Sequence, residues 1–260
     1  MLIISGLVCF STVAPVRAED NWKASNSAGI DASKQMHFDA AEKLFRTGLK
    51  EAQKSGPDDP RVATSLNNLA ANYYIERKDE QAEQLYKQAL AIREKKLGQN
   101  HPDVAETLDD LGLIYFLQGK DTEAQALYKR ALAIEEKALG PDQPNVGKTL
   151  NYLGLLYGEQ KKYSDAEALF RRSLAINDKA SATDPGELSR TLWYLADLYN
   201  KQGKHDKAKP LLARMAAIDK KQSAGPNPPR AVDFALMETA PSRRLESRNV
   251  QPPPRYGRGQ

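Results

Sequence analysis

The sequence repeats itself every 42 residues, and this period constrains the fold more than any other feature. Four sets of like residues keep the step of 42 through four successive copies: Leu69, Leu111, Leu153 and Leu195; Tyr73, Tyr115, Tyr157 and Tyr199; Ala82, Ala124, Ala166 and Ala208; and Ile92, Ile134, Ile176 and Ile218. A fixed period of about 20–50 residues is typical of stacked supersecondary units, each of which buries its apolar face on the next. Such a stack offers a long surface for a partner rather than a catalytic cleft.

Within one copy, the apolar residues predict two helices. The first stripe recurs at i, i+4, i+7 and i+11, which is one face of an α-helix, and consists of Val104, Leu108, Leu111 and Tyr115. Pro102 suits the first turn of this helix, and Gly119 suits its end. A second apolar stripe runs over residues 124–139, and Gly140 ends it before Pro144 opens the next copy. Each unit is therefore expected to be a helix, a three-residue turn and a second helix.

Three local features refine this expectation. Gly112 and Ala124 are small residues at matched heights, so the two helices of a copy are expected to cross closely there. Pro210 is expected to interrupt the second helix of the last copy. Short polar residues stand where the second helices should begin, and they are expected to act as N-caps: Asp39, Thr122, Ser164 and Asp206.

The repeat resembles a known family. The spacing of Leu111-Gly112, Tyr115, Gly119, Ala124, Tyr128 and Ala131 is similar to that of the tetratricopeptide repeat (TPR). The 42-residue form, with phrases such as HPDVAETLDDLGLIYFLQGKDTEAQALYKRALAIEEKALGPD, resembles the repeats of kinesin light chains and their bacterial relatives. HEAT repeats share the length but lack these columns of Gly, Ala and aromatic residues. The resemblance implies an all-α fold: a right-handed superhelical solenoid of antiparallel helix pairs.

The expected domain organisation follows from the repeat register. A TPR domain is expected over residues 19–221, with five repeats at about 20–59, 60–101, 102–143, 144–184 and 185–221. The first repeat is less regular, because residues 38–45 align with residues 163–170 but lie 41 residues, not 42, before the next copy.

The N-terminal segment predicts export. Residues 2–16 form the one long apolar stretch, and Val16-Arg17-Ala18 carries small residues where a signal peptidase reads. We therefore expect residues 1–18 to be a cleaved signal peptide and the protein to be periplasmic or extracellular in a bacterium, with no integral membrane domain after cleavage. An uncleaved membrane anchor and a buried core strand are the two alternatives.

The C-terminal segment, residues 222–260, carries seven prolines and six arginines and no repeat signal. It is expected to be a disordered tail, with a short helix near 230–238 that covers the exposed end of the last repeat. The alternatives are disorder throughout, or a built-in ligand that folds into the groove. The arginines could also give the tail a weak electrostatic contact with anionic surfaces.

Composition and motifs argue against catalysis and nucleic-acid binding. The formal charge is +4, and the Lys and Arg of the repeats are interleaved with Asp and Glu, so no nucleic-acid partner is expected. Cys9 is the single cysteine. His37, His101 and His205 have no Glu or Cys partner at metal-ligand spacing, and no phosphate-binding loop or nucleophile motif is present. We therefore expect no metal, no cofactor and no enzymatic activity.

The resemblance implies that the first helices line a concave groove in which a protein or peptide partner lies. The groove face is predicted opposite the packing stripe of each first helix and contains Asn67, Tyr74, Asp109, Leu113, Phe116, Asn151, Leu155, Trp193 and Asn200. Asn67, Asp109 and Asn151 stand 42 apart and are expected to hydrogen-bond a peptide backbone, unless they are only solvated helix surface. Phe116 and Trp193 are expected to be apolar anchors, unless they pack between neighbouring helices.

The function that these features favour is a non-catalytic scaffold that binds a peptide or protein partner in the concave groove. The alternative is a structural or assembly factor of an envelope complex, which acts through self-association or through its basic tail. The identity of the partner is not encoded in the repeat, because groove chemistry of this kind accepts many ligands.

Overall fold

The computed structural model describes residues 18–180 and 184–223, which form ten α-helices and no strand. The helices are α1 (Ala18–Lys34), α2 (Phe38–Gln53), α3 (Pro60–Ile75), α4 (Asp79–Leu97), α5 (Pro102–Leu117), α6 (Asp121–Ala138), α7 (Pro144–Glu159), α8 (Tyr163–Ala180), α9 (Pro185–Lys201) and α10 (His205–Ser223). The predicted signal peptide lies almost entirely outside the described residues, and so does the predicted tail beyond residue 223 with its short helix.

The helices stack as antiparallel pairs. Each odd-numbered helix packs most extensively against the even-numbered helix that follows it, and each pair then packs against the next pair along the chain. The odd-numbered helices, which are the first helices of the pairs, also contact one another between consecutive repeats. These contacts join α1 to α3, α3 to α5, α5 to α7, and α7 to α9. The predicted all-α class and the solenoid of helix pairs are confirmed.

The turn within each pair has three residues, and its middle residue has a positive φ. These residues are Met36, Arg77, Gly119, Lys161 and Gly203, with φ between 60° and 75°. In the third pair the Lys120 N–H donates to the Tyr115 carbonyl at 2.9 Å, and the Gly119 N–H donates to the Phe116 carbonyl at 3.1 Å. These bonds satisfy carbonyl groups at the end of the first helix that would otherwise lack partners.

The predicted N-caps of the second helices are wrong. Thr122 is already the second residue of α6, and Asp39, Ser164 and Asp206 hold the same place in their helices. The residue at the cap position of α6 is Lys120, whose side chain makes no capping bond. The reason is that the turn is short and Lys120 belongs to both helix ends. Its N–H donates to a carbonyl at the end of the first helix, and its own carbonyl accepts from Ala124 N at 3.0 Å, which is the first backbone bond of the second helix.

The expected interruption at Pro210 is also absent, because α10 runs through it from His205 to Ser223. Pro210 is the sixth residue of the helix, so the one backbone bond that it removes lies near the N-terminal end.

Small residues on the first helices receive aromatic side chains from the second helices. A Cβ atom added to Gly112 would lie 2.6 Å from Tyr128 Cε1, and one added to Gly154 would lie 2.5 Å from Phe170 Cε1. Gly29 meets Phe45 in the same way in the first pair. The glycine therefore lets the ring lie directly on the helix backbone, which sets the close crossing of each pair.

The outer surface of the stack carries ion pairs between consecutive second helices. Arg130 pairs with Glu94 at 2.6 Å, Arg172 pairs with Glu136 at 2.7 Å, and Arg214 pairs with Asp178. The described helices include none whose length and apolar character would suit a bilayer crossing.

Candidate protein-binding groove

The first helices of four consecutive repeats turn one face toward a common cavity of about 230 Å³. We call this surface the inner groove. It is lined by Ala71, Tyr74 and Ile75 of α3, Tyr86 of α4, Asp110 and Leu113 of α5, Tyr152 and Leu155 of α7, and Arg190 and Tyr194 of α9. Asp110, Tyr152 and Tyr194 stand 42 apart, so one repeat position supplies a side chain from each of three helices.

Three of the residues predicted for the groove face line this cavity. They are Tyr74, Leu113 and Leu155. Leu113 and Leu155 are half-buried, and each also packs against the main core. The structure thus brings together the apolar middle of the predicted groove across α3, α5 and α7.

Asn67, Asp109 and Asn151 do not lie on the open groove surface, and the predicted position of the groove face is corrected here. Asp109 and Asn151 are each 1% exposed and lie between consecutive first helices. Asn151 Nδ2 donates to Glu187 Oε1 at 2.9 Å and to Thr191 Oγ1 at 2.8 Å, both on the next first helix. These polar side chains hold neighbouring repeats together, which is why they are not exposed to a ligand.

The remaining predicted groove residues also lie away from the cavity lining. Phe116 is buried, in agreement with the alternative that it packs between helices. Trp193 is half-buried, with its ring edge-on to that of Tyr194 at a centroid distance of 5.5 Å. Asn200 is exposed near the turn of the last pair, where its Oδ1 lies 3.1 Å from His205 Nδ1.

Four residues of the inner groove were missed by sequence reasoning: Ile75, Tyr86, Asp110 and Tyr152. Asp110, Tyr152 and Tyr194 each follow the predicted position by one residue, which is a rotation of about 100° around an α-helix. One signal was available in the sequence. Asp110 precedes Leu113 by three residues and Tyr152 precedes Leu155 by three, so each pair shares a helix face.

The charged groups of the inner groove have partners within the protein. Asp110 Oδ2 accepts from Asn67 Nδ2 at 3.2 Å, and its Oδ1 lies 3.6 Å from Lys148 Nζ. Lys148 Nζ also lies 5.6 Å from the centroid of the Tyr152 ring. Arg190 pairs with Glu187 at 2.5 Å. The charged side chains of the groove are therefore paired with opposite charges, and the groove does not carry an excess of one sign of charge.

Three tyrosine hydroxyls of the inner groove remain neutral donors. Burial raises the pKa of Tyr86 well above its usual range and raises the pKa of Tyr152 and of Tyr194. Within residues 18–180 and 184–223, the structure records no hydrogen bond for these three hydroxyl groups. They are available to a polar atom that enters the cavity.

Beneath the groove, a buried hydroxyl on each first helix from α3 to α9 forms hydrogen bonds to the preceding repeat. Arg93 Nη1 donates to Thr107 Oγ1 at 2.7 Å, and Asn177 Nδ2 donates to Thr191 Oγ1 at 2.9 Å. These hydroxyls recur every 42 residues as Ser65, Thr107, Thr149 and Thr191.

The junction between the third and fourth repeats is acidic. Thr149 Oγ1 lies 2.6 Å from Asp109 Oδ2 and 2.7 Å from Glu135 Oε2. One hydroxyl proton cannot serve both contacts, so both are hydrogen bonds only when one carboxyl is protonated. Burial raises the pKa of Asp109 well above its usual range and raises that of Glu135.

In the described part of the chain, no group of three or more His, Cys, Asp or Glu side chains is arranged to hold a metal ion.

Comparison with known proteins agrees with this architecture. The family model described as "Tetratricopeptide repeat" matches residues 22–95, 76–137 and 103–179. No curated protein matches the chain at a significant level.

Three solved structures illustrate the likeness in fold. The crystal structure of BtubC (BKLC) from P. vanneervenii is 26% identical, with a TM-score of 0.67 over 84% of this chain and 87% of that chain. A Podosopora anserina putative kinesin light chain with nearly identical TPR-like repeats is 21% identical, with a TM-score of 0.62 over 82% of this chain and 100% of that chain. A Rap protein complexed with Competence and Sporulation Factor is 18% identical, with a TM-score of 0.66 over 76% of this chain and 54% of that chain.

The helix-pair architecture and the family match over more than half of the residues lead to one conclusion: the chain belongs to the tetratricopeptide repeat family, and its fold is similar to that of kinesin-light-chain-like members.

Proposed function

We propose that this protein is a non-catalytic scaffold that binds an extended segment of a protein partner in the inner groove. The single observation that carries the proposal is the cavity of about 230 Å³ to which the first helices of four repeats contribute apolar and tyrosine side chains. A surface built jointly by several repeats suits a ligand that runs along the stack.

The shape of the stack supports this proposal. Most of the lining comes from first helices, whereas the outer surface is covered by charged pairs such as Arg130 with Glu94. Aromatic side chains are enriched in the regions of interfaces that contribute most to binding, and exposed ion pairs contribute little. A solenoid of similar fold, the Rap protein, was solved in complex with a factor, so this architecture can hold a partner.

The binding surface can be mapped by photo-crosslinking. A library of random linear peptides is selected on the full-length protein. The recovered peptides are added to a variant with p-benzoylphenylalanine in place of Glu106, which is exposed on α5 one turn before Asp110 and leaves the cavity open. The matched control carries the same group in place of Ala133, which is exposed on α6 of the same repeat. We expect crosslinks from position 106 and none from position 133.

Peptides that bind but crosslink only from position 133 would show that the outer surface is the binding site. A selection that recovers no peptide above the background of an unrelated helical protein would contradict the proposed function itself.

A further inference from the structure

We propose that the inner-groove cavity is a subsite for one large uncharged side chain of the bound peptide, whose flanking backbone carbonyls accept hydrogen bonds from Tyr86, Tyr152 and Tyr194. This inference rests on the proposed function and specifies the chemistry of the same groove. It distinguishes a ligand that the groove recognises through an apolar side chain from a ligand that the groove recognises through its charge.

The size of the cavity suits a single side chain. Its volume is about 230 Å³. A dry apolar cavity of about 150 Å³ is already large enough to bind benzene. The cavity can therefore take a side chain between Leu and Trp in size, and it is too small for a folded element. Ala71, Leu113 and Leu155 provide apolar contact for such a side chain.

The tyrosine hydroxyls at the cavity are donors that a bound ligand has to satisfy. Tyr86 is 3% exposed and Tyr194 is 6% exposed, and both line the cavity. Neither hydroxyl has a recorded hydrogen-bond partner within residues 18–180 and 184–223. A ligand that fills the cavity removes water from these hydroxyl groups, and a donor left without an acceptor costs free energy. A ligand that supplies carbonyl oxygens at this point is therefore favoured over one that supplies only hydrocarbon.

The balance of charge argues for a neutral anchor. Asp110 is paired with Lys148 and also accepts from Asn67, and Arg190 is paired with Glu187. A cationic anchor would have to displace Lys148 from Asp110, and an anionic anchor would be placed beside the Asp110 carboxylate. An uncharged side chain avoids both costs, because it leaves the existing pairs in place.

Two variants of the full-length protein test the subsite with the peptides selected above. Ala71→Trp fills the cavity, and we expect it to weaken binding at least tenfold, while Ala133→Trp on the outer surface leaves binding unchanged. Tyr152→Phe combined with Tyr194→Phe keeps the rings and removes two donors, and we expect binding about threefold to tenfold weaker. Circular dichroism and thermal melting establish that each variant is folded.

The sequences of the selected peptides are a second readout. We expect one position rich in Leu, Met, Phe or Trp. Peptides that crosslink from position 106 but bind Ala71→Trp as tightly as the unmodified protein would overturn the subsite and leave the proposed function intact. Enrichment of Lys and Arg, or of Asp and Glu, at the most strongly selected peptide position would overturn it in the same way.

Small amides test the subsite when no peptide is recovered. The probes are N-acetyl-tryptophanamide, N-acetyl-leucinamide, N-acetyl-lysinamide and N-acetyl-glutamate, each titrated by NMR into the unmodified protein and Ala71→Trp. Saturable binding of the two uncharged amides that is lost in Ala71→Trp supports the subsite. Equal binding by both proteins, no binding of the uncharged amides, or preference for a charged probe overturns it.

Discussion

At the scale of single residues, side-chain type alone is a poor guide to position, and two consecutive acids show why. Asp109 is 1% exposed and contacts Thr149 of the next repeat, whereas its neighbour Asp110 lines the inner groove. Both are aspartates on one helix, and the rotation of about 100° between successive residues separates the two environments. The neighbouring repeat, not the residue type, decides which acid is buried.

The glycine at the crossing of the third pair gives a first prediction. Gly112→Leu places a side chain where even a Cβ atom would lie 2.6 Å from Tyr128 Cε1. Tyr128 cannot easily yield, because it is buried and stacked on Tyr152 at 5.3 Å. We expect the free energy of unfolding in urea to fall by about 1–3 kcal/mol. Ala126→Leu, on the exposed side of α6, is the control and should change it little.

The buried acids at the junction of the third and fourth repeats give a second prediction, on pH. Burial is the main cause that raises the pKa of Asp109, Lys148 opposes it, and Glu135 and Asp110 add to it. The pKa of Glu135 is raised by burial first and also by Glu106 and Glu136, against the effects of Thr149 and Lys148.

The sign of the effect follows from proton uptake. Both carboxyls bind protons more tightly in the folded than in the unfolded protein, so stability decreases as pH rises from about 4 through the raised pKa values. Asp109→Asn removes one of these charges and places there the residue type of Asn67 and Asn151.

We expect Asp109→Asn to be more stable than the unmodified protein by on the order of 1–3 kcal/mol at pH 8, and the difference to shrink towards pH 4. Urea unfolding between pH 4 and 8 measures it. Parallel stability profiles for the two proteins would show that Asp109 does not titrate in this range. Asp165→Asn, at an exposed position on α8, serves as the control substitution.

At the scale of helices and turns, local patterns predicted most of the structure, because helix pairs are specified within about 40 residues of chain. The apolar stripes, Pro102 and Gly140 correctly indicated where helices begin and end. The caps were predicted wrongly, because the turn between the helices of a pair uses backbone bonds at both ends, as at Lys120. A rule based on short polar side chains cannot detect such a turn.

The turns give a third prediction, because glycine and lysine occupy equivalent places. Lys161 has a φ of 60° and Gly119 has a φ of 75° at the same turn position. A side chain with a Cβ atom is strained in this region, by about 1–2 kcal/mol. We expect Lys161→Gly to raise the free energy of unfolding by about 0.5–1 kcal/mol, since the flexible unfolded chain offsets part of the relief.

The reciprocal substitution checks the argument. Gly119→Lys should lower the free energy of unfolding by a similar amount, measured by chemical denaturation under the same conditions. If both substitutions destabilise the protein, the conformation of the backbone at this turn is not the deciding factor.

At the scale of the whole molecule, the stack holds together through contacts between consecutive repeats. Each pair packs on the pairs before and after it, and the polar contacts of Asn151 with Glu187 and Thr191 bridge one repeat to the next. In such an array, stability is close to a sum over repeats and their interfaces, so damage at one interface has a local effect.

This property gives a fourth prediction. Leu198 is buried on α9, and its Cδ1 lies 3.4 Å from where a Cβ atom on Gly158 of α7 would stand. Leu198→Ala should cost about 2–5 kcal/mol at the interface of the last two repeats. Hydrogen exchange should then show lost protection in α9 and α10, with protection retained in α3 to α6.

A uniform loss of protection over all the helices would show instead that the array unfolds as one unit. Leu139→Ala provides the matched control, because Leu139 is 37% exposed.

The sequence by itself determined the repeat, the all-α class and the pairing of helices, because a period of 42 residues and local apolar stripes depend only on nearby residues. It also placed Tyr74, Leu113 and Leu155 on the surface that lines the cavity. The tertiary structure alone decided which polar residues are buried and which face the groove. The angle at which one repeat packs on the next buries Asn67, Asp109 and Asn151. The same angle places Asp110, Tyr152 and Tyr194 in the lining of the cavity. That angle arises from contacts between residues about 40 positions apart, and a pattern read within one helix does not contain it.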